Sequence, residues 1–172
     1  MKKHLLSLLL ILGISAGAFA QQAQVSPADV ASPEAITAAG LRLISGPKGQ
    51  ERDMEAFKAL FLPNAQLGGV FYKGDSSFVR ITTVEKFAER NGPAYKELGF
   101  YEKQLSIRIN KNDHIATAFQ TYETRMGSPN GKVEDWGVNT YQLVYDQGRW
   151  WIASLLFTPR TEKGPPPMEY PK

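Results

Sequence analysis

Glu102, Tyr122, Glu123 and Arg125 are the side chains whose types and spacing suit chemistry. Glu102 follows two aromatics, in the run Phe100-Tyr101-Glu102. A carboxyl lodged among aromatic rings is poorly solvated, so its pKa rises and it can act as an acid or base. Tyr122 offers a hydroxyl able to donate to a developing oxyanion. Arg125 can hold an anionic ligand through two parallel hydrogen bonds, with Glu123 beside it on the same strand face. Each residue also has a structural reading. Glu102 can pair across the sheet with Arg125 or Arg108, Tyr122 can pack with its hydroxyl satisfied, and Arg125 can neutralise a neighbouring acid. Asn139, Trp136 and Trp151 complete the expected ligand-binding set.

Other chemistries lack their residues. Cysteine is absent and histidine occurs only as His4 and His114. A thiol nucleophile is therefore impossible, and once His4 is lost with the leader described below, the one remaining histidine cannot build a multi-histidine zinc site. No metal and no cofactor are expected. His114 follows Asn112-Asp113 at a turn, where it is either a lone base or a solvated side chain. The formal net charge is +3, without a concentrated basic patch, so nucleic acid is not an expected partner.

The chain begins "MKKHLLSLLLILGISAGAFA". Lys2, Lys3 and His4 form a positive start, an apolar run follows, and Ala18-Phe19-Ala20 has the small-x-small form of a cleavage site. The apolar run is short for a span of roughly 20 residues. It reads as a signal peptide over residues 1–20, cut after Ala20. The mature protein would be periplasmic or secreted, with no stable membrane insertion. Cleavage removes two of the 20 basic residues and none of the 17 acids, leaving the remainder nearly neutral.

Residues 21–32 are small, polar and proline-bearing, as in a linker. Ser32-Pro33-Glu34 starts a helix, with a serine cap, proline in the first turn and an acid against the dipole. A second helix is expected over about 51–61, ended by Pro63. Short strands are expected at 65–71 and 77–81. A third helix, capped by Thr82 or Thr83, breaks at Asn91-Gly92-Pro93, resumes briefly and stops at Gly99. Four longer strands follow, over 100–109, 115–126, 133–145 and 149–158, with glycine-bearing turns between the later ones. Strict alternation places Glu102, Gln104, Ser106 and Arg108 on one face, against Leu105, Ile107 and Ile109. It also sends Trp150 and Trp151 to opposite faces. Helices first and antiparallel strands last argue an α+β domain over residues 33–160, with helices packed on a curved, mainly antiparallel sheet. A proline-rich tail occupies 161–172.

Four stretches carry a resemblance: "FKALFLPNAQL" at 57–67, "GFYEKQLSIRI" at 99–109, "IATAFQTYETR" at 115–125 and "GVNTYQLVYDQGRWWIASLLF" at 137–157. Together they resemble the nuclear transport factor 2-like superfamily, the cone-shaped fold shared with ketosteroid isomerases and polyketide-cyclase-like proteins. The last stretch is similar to the "GxNxxQLVxxxGRWxIxSL" ending common among bacterial members. The resemblance implies a cone with a pocket and a homodimer formed through the sheet. It implies no activity, since the fold hosts catalysts, binding modules and oligomerisation domains. No segment matches the ketosteroid isomerase catalytic motifs residue by residue, and a single histidine after cleavage argues against a His-Asp dyad. The expectation is an exported domain that binds a small apolar or amphipathic ligand in its cone. The alternatives are an enzyme using Glu102 for proton transfer, and a dimerisation module.

Overall fold

The computed structural model describes residues 25–159. The expected signal peptide, the first residues of the linker and the proline-rich tail lie outside the described residues. A short 3-10 turn at Pro27–Val30 leads into α1, Pro33–Ile44. Ser32 Oγ accepts from the Ala35 amide at 3.1 Å, so the cap is formed as expected. Helical spacing then buries Ile36, Ala39 and Ile44 on one stripe. At its far end Ser45 Oγ donates to the Leu41 carbonyl and accepts from the Glu102 amide at 2.9 Å. This bond and the Gly46–Phe100 bridge dock the start of a distant strand against the helix end.

The second helix, α2, spans only Met54–Lys58, shorter than expected. Asp53 caps it by accepting from the Ala56 amide at 2.8 Å. Phe61 belongs to β1, Phe61–Lys73, because it pairs with Ile152 far along the chain. Tertiary pairing outweighs local helix propensity there. Strand β2, Ser76–Thr83, closes a hairpin and leads into α3, Val84–Leu98, capped by Thr83. Contrary to expectation, α3 runs unbroken through Asn91-Gly92-Pro93. Proline removes a single backbone bond, the Asn91 amide side chain donates to the Phe87 carbonyl, and Gly92 packs on Met54.

Strands β3 (Phe100–Asn112), β4 (Ile115–Met126), β5 (Val133–Asp146) and β6 (Arg149–Pro159) form a meander. The six strands make one curved open sheet in the order β2-β1-β6-β5-β4-β3, antiparallel except where β1 meets β6. This is the expected α+β cone. Ile36, Leu60, Leu67, Leu143 and Ile152 are essentially fully buried between the helices and the concave face.

Three bulges interrupt strict alternation in the sheet. In β3, Gln104 pairs with Tyr122 and Ser106 with Thr121, leaving Leu105 extra. An extra residue inverts the alternation. Phe100, Glu102 and Gln104 therefore share the inner face with Ile107 and Ile109, not with Ser106 and Arg108. In β6, Ala153 is extra, so Ile152 faces inward and so do Leu155 and Phe157 beyond it. In β5, Glu134 is extra, between Asp135 paired with Thr124 and Val133 paired with Arg125.

Candidate functional site

The concave face and the helices enclose a cavity of about 410 Å³. Its walls are apolar: Leu41 and Ile44 of α1, Phe57 of α2, Phe87 of α3, and Leu67, Ile152, Leu155 and Phe157 of the sheet. Phe57 stacks on Phe87 with ring centroids 5.6 Å apart, which closes the helical side. Into these walls are set Glu102, Tyr122, Thr124, Asp135, Asn139, Tyr141 and Tyr95.

Register brings the acids together. Glu102 pairs with Thr124, which pairs with Asp135, so the three occupy one rung of β3, β4 and β5. Side chains on one rung share a face, and the two acids sit two strand spacings apart, about 10 Å between Cα atoms. Burial pushes the Glu102 carboxyl up to about 8, and the negative charge of Asp135 adds to the rise. Glu102 is therefore mostly protonated at neutral pH and can donate a hydrogen bond into the cavity. Burial also pushes the Tyr122 hydroxyl well above its ordinary value, helped by Glu102 and Asp135. Tyr95 and Tyr141 are raised for the same first cause. The site thus presents several neutral donors within an apolar wall.

A buried amide network fixes the floor. Gln120 is fully buried. It donates to Gln104 Oε1 at 2.9 Å, and its own Oε1 accepts from Asn139 Nδ2 at 3.0 Å and Tyr141 OH at 2.9 Å. Satisfied networks of this kind hold side chains in one orientation. Tyr122 is placed differently: its ring lies over Gly137, where an added Cβ would overlap it. Among the described residues the Tyr122 hydroxyl has no hydrogen-bond partner.

The structure divides the expected site residues. Glu102, Tyr122 and Asn139 line the cavity. Glu123 and Arg125 lie on the opposite face and pair with each other at 2.8 Å, while Arg125 also donates to the Gly131 carbonyl. The expected anion-holding guanidinium is therefore committed to structure. The ion-pair reading of Glu102 is not realised either, because Arg125 and Arg108 both lie on the face opposite Glu102. Trp136 and Trp151 do not reach the cavity. Trp151 lies under the Arg149 guanidinium at 3.8 Å, and its indole donates to the Asp146 carbonyl. His114 is exposed at the turn, edge-on to Tyr145. Sequence reasoning missed Thr124, Asp135, Tyr95 and Tyr141. Only the rung pairing of Glu102, Thr124 and Asp135 would have found the first two.

Among the described residues, no three His, Cys, Asp or Glu side chains gather as metal ligands, and no helix is long and apolar enough to cross a membrane.

No protein-family model matches the chain, and no curated protein matches it. Solved structures do. A protein of unknown function with a cystatin-like fold from Nostoc punctiforme superposes with a TM-score of 0.57 at 12% identity, covering 74% of this chain and 87% of its own. A nuclear transport factor 2-like protein of unknown function from Silicibacter pomeroyi gives 0.51 at 16% identity, covering 74% and 92%. A proposed dehydratase of the same fold group from Streptomyces avermitilis gives 0.55 at 13% identity, covering 77% and 96%. At these identities the likeness is one of fold.

Proposed function

From the premise that this chain carries the nuclear transport factor 2-like fold, we propose that it is a binding domain for a small amphipathic molecule held in the cone. The observation that carries this is the cavity of about 410 Å³, with neutral donors from Glu102 and Tyr122 set into apolar walls. Its size lies within the usual range for small-molecule sites, roughly 300–1,000 Å³. Filling it tests the reading. Leu155 lines the cavity at the sheet side. The Leu155→Trp variant should keep its circular dichroism spectrum and lose the ligand-induced rise in Tm that a screen of amphipathic compounds finds for the native protein. If no compound shifts the native protein, the reading fails.

A second reading is proton-transfer catalysis, and one observation favours it. Glu102, at about 8, titrates close to neutral pH beside the Tyr122 hydroxyl. Such a carboxyl can give and take a proton during turnover. Glu102→Gln would then abolish turnover of any substrate found, without unfolding the protein.

The leader-like residues 1–20 support export to the periplasm or beyond; N-terminal sequencing of the mature protein should begin at Gln21. The fold supports a homodimer through the sheet, which sedimentation at micromolar concentration tests. A dimerisation module without a binding role fits less well, since the cone holds an open cavity.

A further inference from the structure

The polar groups of the cavity are segregated by charge. Arg80 of β2 and Lys86 and Arg90 of α3 line it and are exposed at its mouth. Lys86 and Arg90 stand one helical turn apart, on the same face of α3. Arg80 rests over the rings of Phe71 and Phe78, 5.7 and 5.8 Å from their centroids. None of the three is paired with a carboxylate among the described residues, and the acids that line the cavity are Glu102 of β3 and Glu134 and Asp135 of β5. The topology sets Arg80 and Glu102 on opposite edge strands of the sheet. Strands β2 and β3 are the two edges of the sheet, and α3 connects them along the chain. Its first half carries Lys86 and Arg90 beside β2, and its last half carries Tyr95, stacked on Phe100 at the start of β3. One end of the cavity is cationic and solvated, the middle is apolar, and the other end offers neutral donors.

Resting on the ligand-binding reading above, we propose that the ligand is an amphipathic organic acid. Its anion is held by Arg80, Lys86 and Arg90 at the mouth, its apolar body fills the cone, and an oxygen acceptor at its far end meets Glu102 and Tyr122. Among the described residues the cations that line the cavity are Arg80, Lys86 and Arg90, so the charge arrangement also sets the direction of entry. Three converging cations, exposed but unpaired with a carboxylate, discriminate an anion from its neutral isostere by roughly tenfold or more at low salt.

Calorimetry with a panel of aryl and alkyl carboxylates, each beside its own carboxamide, tests this. The acids should bind at least about tenfold tighter than the amides at low salt, and the gap should shrink at about 0.5 M salt. The exposed double variant Lys86→Gln/Arg90→Gln should erase the gap by weakening the acids far more than the amides. Leu155→Trp should abolish binding of both series. Amides binding as tightly as acids would overturn the proposal while the binding reading stood. Heat from neither series would overturn both. A gap that survives in the double variant, and in Arg80→Gln as well, would also overturn it.

Discussion

Glu102 makes the protein's stability depend on pH in a way that can be signed. Its folded-state value is raised to about 8 from an ordinary 4.5. The folded protein therefore holds a proton that the unfolded chain releases across that interval. Its stabilising contribution is complete below about 4.5 and is lost as pH rises through about 8. We expect the native protein to lose roughly 2–4 kcal/mol of stability between pH 5 and pH 8 from this group alone. Glu102→Gln should flatten that slope in urea melts, with the two proteins alike near pH 5 and the variant more stable at pH 8. Equal slopes would show that the carboxyl is solvated. Gly137 gives a second residue-scale prediction. Its missing side chain is the space the Tyr122 ring occupies. Gly137→Ala should cost about 1–3 kcal/mol through overpacking. The cost should disappear in the background of Tyr122→Ala, as a double-mutant cycle would show.

Among the elements, Arg52 holds the cavity's helical wall together. It is nearly buried and donates to the carbonyls of Ile44, Gly46, Pro47, Gln50 and Tyr95. Those acceptors include the last turns of α1 and α3, whose dipoles favour a cation. Arg52→Met should destabilise by about 2–4 kcal/mol in denaturant unfolding, since several buried carbonyls lose their donors. Arg52→Lys should recover little, because an ammonium cannot reach a fan of acceptors.

The elements also show what was legible. Alternation found every strand of the meander, and the Ser32-Pro33-Glu34 signal found α1, because both depend on near neighbours. Faces were a different matter. Leu105, Ala153 and Glu134 are extra residues whose presence depends on the partner strand. No pattern within β3 alone reveals that Ile107 shares a face with Glu102. For that reason Glu102, Tyr122 and Asn139 emerged as site residues while Asp135 did not. Arg125 and Trp151 suit a site by chemical type alone, and the sheet turns both away from the cavity.

Across the whole molecule, protection should fall from the centre of the sheet to one edge. Strand β2 is an edge whose residues are almost all exposed, including Val79 at 68%. Strands β4 and β5 lie inside, with Gln120, Thr121, Tyr141 and Leu143 almost wholly buried. Amide hydrogen exchange should therefore be slowest in β4 and β5 and fastest in β2, by several orders of magnitude. Slow exchange throughout β2 would mean that this edge is covered in solution.

The parallel meeting of β1 and β6 governs the order in which the chain can assemble. The β1–β2 hairpin and the β3-to-β6 meander are each built from neighbouring segments, so each can form as soon as its own residues exist. They join only through pairs such as Phe61 with Ile152 and Leu67 with Leu155. That contact closes a loop of most of the domain, and its entropic cost is met before any gain from burial. Until β6 leaves the ribosome, the hairpin has no sheet to join and the cone has no far wall. Until then the aromatic lining of the cone stays uncovered, an interval in which a chaperone would find its substrate.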